Sequence, residues 1–316
     1  MKLMKSRLAL LGYLLLLSGC GLWISACSRH DPPGNPQGKV RVTVTTGMIA
    51  DTVRNIGGDR VQVDALMGPG VDPHLYKASE GDISRLSEAD IIFYNGLNLE
   101  GKMGDILVKI ARRGKPVIAV SEAIDQSLLR EPPELEGHPD PHIWFDVSLW
   151  MKTLPVISNA LIEIDPEGRS IYEANTKTHQ EKLTQLHDYC LEQIATIPKE
   201  QRVLITAHDA FGYFGRAYDI EVVGLQGIST VSEYGLKDIQ RLVELIAQRK
   251  IKAVFVESSV PKRSIEAVVA GVRQVGHQVT IGGELFSDAM GAAGTPEGTY
   301  EGMVRHNVDT IVKSLK

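Results

Sequence analysis

Four segments of this chain recur, in the same order, in its second half. Arg41-Val-Thr-Val-Thr45 is echoed by Arg202-Val-Leu-Ile-Thr206, and Ile83-Ser-Arg-Leu86 by Ile239-Gln-Arg-Leu242. Ile91-Ile-Phe-Tyr94 is echoed by Ala253-Val-Phe-Val256, and Pro116-Val-Ile-Ala-Val-Ser-Glu122 by Gln278-Val-Thr-Ile-Gly-Gly-Glu284. The offsets are 161, 156, 162 and 162 residues. Any one match is weak, because buried parallel strands read alike. The ordered set argues for two related lobes. Within the first half, candidate strands Val40–Thr45, Val61–Leu66, Ile91–Tyr94 and Val117–Ala119 alternate with helix-like segments. Those segments lie near Met48–Ile56, Ser79–Glu88 and Gly104–Arg113. This alternation implies an α/β fold, with mostly parallel sheets covered by helices.

Between the halves, Ser170–Ile197 contains neither Pro nor Gly, and Leu183, Leu186, Cys190, Leu191 and Ile194 fall at helical spacing. Pro198 ends the run. A helix of about 28 residues spans roughly 40 Å, enough to run the length of both lobes as a strut. Such a strut permits less hinge motion than flexible crossing strands. Cys190 lies in this stretch and reads as a small core residue. The expected organisation is an N-terminal lobe over 39–168, a linking helix over 169–198 and a C-terminal lobe over 199–316.

The first residues read as an address. Lys2, Lys5 and Arg7 precede an apolar run, Leu8–Leu17, the pattern of a secretory signal. Two cysteines follow in lipoprotein-type settings, Leu17-Ser-Gly-Cys20 and Ile24-Ser-Ala-Cys27. Cys27 is slightly preferred for lipidation, because the chain turns polar only after it; Cys20 is the alternative. The expectation is a signal peptide over 1–27 and a flexible tether over 28–38. An uncleaved transmembrane anchor is the competing reading. Cleavage removes three positive charges and takes the formal net charge from −5 to −8. That charge disfavours a nucleic-acid partner. The apolar fraction of 43% excludes wholesale disorder, and three cysteines cannot build a disulfide scaffold. A single long apolar run excludes a polytopic membrane protein.

Candidate chemistry lies at strand ends. Open α/β sheets bind ligands beyond the carboxyl ends of their strands. His74 follows the second strand, His208 closes the first strand of the second half, and Asp288 follows the last strand. His142 follows a proline-rich loop after the fourth strand. Two Asp-Pro-His tripeptides, ending at His74 and His142, place a stiffening proline before each imidazole. A rigid loop loses less entropy when its side chain is fixed on an ion. Two ligands from each half place one ion in the cleft between the lobes. Three His and one Asp fill a tetrahedral site, whereas a catalytic zinc keeps one position open; the set suits capture over turnover. No Gly-x-Ser-x-Gly elbow, phosphate loop or His-Glu-x-x-His helix occurs, so the chain is not expected to be an enzyme.

The other histidines are assigned elsewhere. His179 and His187, on the linking helix, are expected to be solvated. His30 lies in the tether, His277 in a turn and His306 on the C-terminal helix. His138 is a minor candidate for an auxiliary ligand. Glu257 and Glu284 are nominal general bases that read better as structural residues at strand ends.

With those residues placed, the chain resembles the manganese/zinc group of metal-binding, solute-binding lipoproteins of bacterial ABC importers. The resemblance covers nearly the whole chain after the signal. It rests on Gly70-Val-Asp-Pro-His-Leu-Tyr76, Asn95-Gly-Leu-Asn-Leu-Glu100, Asp140-Pro-His-Ile-Trp-Phe-Asp146, Thr206-Ala-His-Asp-Ala-Phe-Gly-Tyr-Phe214, Gly224-Leu-Gln-Gly-Ile-Ser-Thr230, Val256-Glu-Ser-Ser-Val260 and Gly283-Glu-Leu-Phe-Ser-Asp288. It implies two lobes joined by one long helix and metal ligands at His74, His142, His208 and Asp288. It further implies Mn²⁺ or Zn²⁺ as transported cargo, and an ABC permease with its ATPase as partners. The protein would be a monomer held by lipid at the membrane, facing outside the cytoplasm. Dedicated zinc members often carry a long His-rich acidic loop. Here Arg130–Pro141 is short with a single histidine, His138, which favours manganese. Many manganese members carry Glu where this chain has His208, which pulls towards zinc. A zinc-specific importer receptor, or a surface adhesin with a structural metal, are the alternatives.

Overall fold

The computed structural model describes residues 38–135 and 137–316. The lipidation candidates Cys27 and Cys20, the signal and the tether with His30 lie outside the described residues, apart from Gly38 at the end of the tether.

The first half runs β1 (Val40–Val44), α1 (Gly47–Gly57), β2 (Val61–Ala65), α2 (Glu80–Glu88), β3 (Ile91–Tyr94), α3 (Gly104–Ala111) and β4 (Val117–Ala119). After it come the short α4 (Val147–Trp150), α5 (Leu154–Ile164) and the long α6 (Arg169–Ala195). The second half runs β5 (Val203–His208), α7 (Gly212–Tyr218), β6 (Glu221–Gln226), α8 (Leu236–Arg249), β7 (Ala253–Glu257), α9 (Arg263–Gln274), β8 (Thr280–Leu285) and α10 (Tyr300–Leu315).

The first sheet has the order β2-β1-β3-β4, all parallel. In the second half β5 pairs with β6 and β7 with β8, again in parallel, and β5 packs beside β7. The neighbours therefore repeat, β6-β5 and β7-β8 answering β2-β1 and β3-β4. The echoed segments land on β1 and β5, α2 and α8, β3 and β7, and β4 and β8. β5 and β7 are buried at every position. Parallel strands covered on both faces are buried on both sides, which is why Val203–His208 and Ala253–Glu257 are mostly apolar and lack strict alternation.

The linking helix forms where its periodicity places it. α6 is 27 residues long, and Tyr172, His179, Leu183, Leu186, Cys190 and Ile194 make its buried face. It ends at Ala195, and Pro198 keeps it from continuing, because the residue before a proline is pushed out of helical geometry. The buried face packs on α1 and α5 from the first half and on α10 from the second. The largest of three apolar clusters among the described residues spans both halves, running from Val42 and Trp150 through Tyr172 and Leu186 to Phe255 and Tyr300, while each half keeps a smaller cluster of its own.

Two expectations on this helix are corrected. His179 is not solvated: it is 6% exposed, and neither ring nitrogen has a hydrogen-bond partner. It stands one turn before Leu183 and so shares the buried face. His187 is half-buried, with Nδ1 3.2 Å from the Tyr218 hydroxyl. No helix among the described residues is long and apolar enough to cross a membrane.

Candidate metal centre

His208 ends β5, and Asp288 follows β8 by three residues. His74 lies in the loop after β2, and His142 directly precedes a short 3-10 turn at Ile143–Phe145. The topology carries all four to one place. They form a single buried group in which one ligand atom from each residue lies within 4.8 Å of every other. His142 and His208 are fully buried, and Asp288 and His74 are 2% and 4% exposed.

The distances fit an ion. Asp288 Oδ1 is 3.3 Å from His142 Nε2, and Asp288 Oδ2 is 3.3 Å from His208 Nε2. His74 Nε2 lies 3.3 Å from His142 Nε2 and 3.8 Å from Asp288 Oδ2. Ligand atoms around a tetrahedral zinc, with bonds of about 2.0–2.1 Å, are about 3.3 Å apart. His208 Nε2 and both Asp288 oxygens are buried without a hydrogen-bond partner. Buried polar atoms are normally satisfied, so three unsatisfied ones facing a common point suit coordination. Both carboxylate oxygens face imidazoles, so Asp288 can bind through one oxygen or two.

Charge is arranged to match. Burial opposes the charge on His142, but Asp140 and Asp288 outweigh it and push this imidazole up to about 9. Burial likewise opposes a charge on His208, which Glu257 and Asp288 nevertheless raise well above its usual range. Burial opposes ionisation of Asp288, yet His208 and His142 hold it well below the usual carboxylate range. Burial lowers His74 to about 3, so that ring is neutral. The carboxylates thus concentrate negative potential where a divalent cation would sit.

Residues 42–314 match the family described as zinc-uptake complex component A, periplasmic (ZnuA). The manganese-binding lipoprotein MntA of Bacillus subtilis is 50% identical over 294 residues, covering 93% of this chain and 95% of that protein. The zinc-binding protein TroA of Treponema pallidum is 51% identical over 278 residues, covering 88% of this chain and 89% of that protein. The solved structure of that periplasmic zinc-binding protein superposes with a TM-score of 0.86 at 50% identity, over 88% of this chain and 99% of its own. The chain belongs to the ZnuA family. The metal ABC transporter substrate-binding lipoprotein SsaB of Streptococcus sanguinis is a more distant relative, 33% identical over 96% of this chain and 97% of that protein.

Around the four residues stands a set of supports that local sequence only partly discloses. Asp140 Oδ1 accepts both the backbone N–H of His142, at 3.0 Å, and its Nδ1, at 2.8 Å. Arg130 Nη1 grips the other Asp140 oxygen at 2.6 Å. Glu257 accepts the backbone N–H of His208 at 2.8 Å and also its Nδ1. Asp72 Oδ1 accepts the backbone N–H of His74 at 2.8 Å. In each Asp-Pro-His tripeptide the aspartate therefore folds back on the histidine as an Asx turn, in addition to any stiffening by proline.

The Asn95–Glu100 motif supports the same loop. Gly96, Leu97 and Asn98 all have positive φ. This tight coil is held by the buried Glu100 carboxylate, which accepts Asn95 N at 2.7 Å and the Thr45 hydroxyl at 2.7 Å. Asn95 Nδ2 then donates to Pro141 O at 3.0 Å, propping the residue before His142. Two nominal candidates fall outside the site. His138 is exposed and not a member of the group. Glu284 pairs with Lys262 at 2.6 Å on the surface.

Proposed function

We propose that this chain is the metal-capturing receptor of an ABC-type importer. The observation that carries the reading is the buried convergence of His74, His142, His208 and Asp288, two from each half of the chain. These four are its ligand set. Neutral imidazoles and the Asp288 carboxylate take a divalent transition metal ion as cargo. Four protein ligands, with a second Asp288 oxygen in reach, fill most of the coordination shell, which favours binding over catalysis. It presents the ion to a permease driven by an ATPase. It acts as a monomer outside the cytoplasm, tethered by lipid on Cys27, or on Cys20. Its lobes comprise 39–168 and 199–316, joined by the linking helix over 169–198.

Manganese is the preferred cargo, zinc the next. Relatives of nearly equal similarity carry the two different metals in their names, so likeness does not choose between them. The short loop before His142 and the two-oxygen reach of Asp288 support manganese, which favours higher coordination with oxygen ligands. Zinc binds such a site more tightly in vitro in any case. The deciding experiment is the metal content of the protein isolated rapidly from its native cells, grown with both metals scarce. Stoichiometric Mn supports manganese uptake. Stoichiometric Zn reassigns the protein to zinc uptake, and failure of the purified protein to take up either metal when both are supplied refutes the receptor reading.

A further inference from the structure

Each of the three site histidines has its backbone N–H accepted by a carboxylate, but the three carboxylates are deployed differently. Asp140 and Glu257 turn back and also take the ring Nδ1 of the histidine they hold. Asp72 spends its second oxygen across the cleft. Its Oδ2 accepts the hydroxyl of Thr230 at 2.6 Å. Thr230 belongs to the loop after β6, on the opposite side of the cleft. That loop is fixed from behind, because Gln226 Nε2 donates to Thr230 O at 2.8 Å and to Ser232 O at 2.6 Å. One carboxylate thus joins the backbone of His74 to an anchored point on the other lobe.

A second tie crosses beside the four-residue group, where the Trp144 indole donates to Ser287 O at 3.1 Å. Trp144 is completely buried and Tyr300 holds its carbonyl at 2.6 Å, so this tie belongs to the permanent core. The Asp72–Thr230 bond stands instead at the rim. Its neighbours Leu75 and Val231 are 45% and 55% exposed, and a cavity of about 170 Å³ borders Asp72, Leu75 and Thr230. The His74 loop and the Thr230 loop both line that cavity.

We infer that Asp72 and Thr230 form a latch that holds the His74 loop closed over the bound ion and governs the rate of ion release. The inference rests on the receptor reading above. Asp72 is a positioning residue: it acts through His74 and does not touch the ion. Loss of a hydrogen bond to a charged group should speed release by about 10-fold or more. The ligand set itself should be unchanged.

The test uses Co²⁺ as the probe, whose visible absorption reports ligand type and geometry. Wild type, Thr230→Val and Thr230→Ser are loaded with Co²⁺, and release to excess EDTA is followed by stopped flow. Val keeps the shape of Thr without the hydroxyl, while Ser keeps the hydroxyl. Thr230→Val should show the wild-type spectrum and release about 10-fold faster, with Thr230→Ser returning towards the wild-type rate. Wild-type release by Thr230→Val, equally fast release by both variants, or an altered Thr230→Val spectrum overturns the latch and leaves the receptor reading standing. If wild type takes up no Co²⁺, the receptor reading falls and the latch with it.

Discussion

At the residue scale, each of the three candidate ligand histidines is held from behind by a carboxylate. Glu257 fixes His208 by its backbone and ring together. Glu257→Gln keeps the shape but loses the charge that orients the imidazole, so metal affinity should fall about 10- to 100-fold with the fold intact. Glu284→Gln, at a half-buried strand residue whose carboxylate pairs with Lys262, should leave affinity unchanged; competition titrations that find the two variants alike would remove Glu257 from the site. Protonation sets a second expectation. The carboxylates beside His142 and His208 outweigh burial and raise both above the ordinary histidine range. A metal takes neutral imidazole, so capture must expel protons and affinity should climb as pH rises towards about 9, above the ordinary histidine range near 6.5. Calorimetry in buffers of different ionisation enthalpy reads the release directly, and binding at pH 7 with no proton released would contradict it. The four candidate ligands that the structure brings together were legible in the sequence because strand ends and Asp-Pro-His turns are local signals. Glu257 was legible only as a strand-end acid. It stands 49 residues from His208, and only the packing of β5 beside β7 brings the two together.

At the scale of elements, the linking helix shows what periodicity reveals and where polarity misleads. Its extent followed from a run without Pro or Gly and from the spacing of Leu183, Leu186, Cys190 and Ile194. His179 was misread by its polar side chain, although its phase along the helix places it on the same face. Its ring is buried without partners, and burial, aided by Lys182 and opposed by Glu301, lowers it to about 4. Burying an unpaired polar group costs about 1–3 kcal/mol, so His179→Leu should stabilise the protein by about that much at pH 7. The pH dependence has a definite sign. A histidine depressed in the folded state takes its proton in the unfolded state first. Stability attributable to it is therefore lost as pH falls from about 6.5 towards 4. His179→Leu should flatten the urea midpoint across that window. A variant that is destabilised at pH 7 and keeps the wild-type slope would show that the imidazole has a partner after all.

At the scale of the whole molecule, α6 and the shared core decide how capture can occur. The repeat of β-α units was visible as an offset between segments, but the large apolar cluster that both halves share was not. It arises from long-range contacts of α6 with α1, α5 and α10 that no local pattern encodes. Trp150, Tyr172, Tyr300 and Phe255 belong to the same cluster. Swinging one half against the other would open that cluster, and close-packed interiors are not continuously deformable. Capture is therefore expected to order loops at the rim and not to close the lobes. Binding should still stabilise, by about 2.7 kcal/mol at a free metal concentration 100 times Kd. Two measurements on metal-free and Mn²⁺-loaded protein separate these cases. Small-angle scattering should give superimposable curves, while hydrogen exchange should slow in Gly68–Tyr76 and in the Thr230 loop. Compaction on loading would show that the core yields and that α6 bends. Unchanged exchange in those two loops, with stabilisation present, would place the ordering elsewhere in the site.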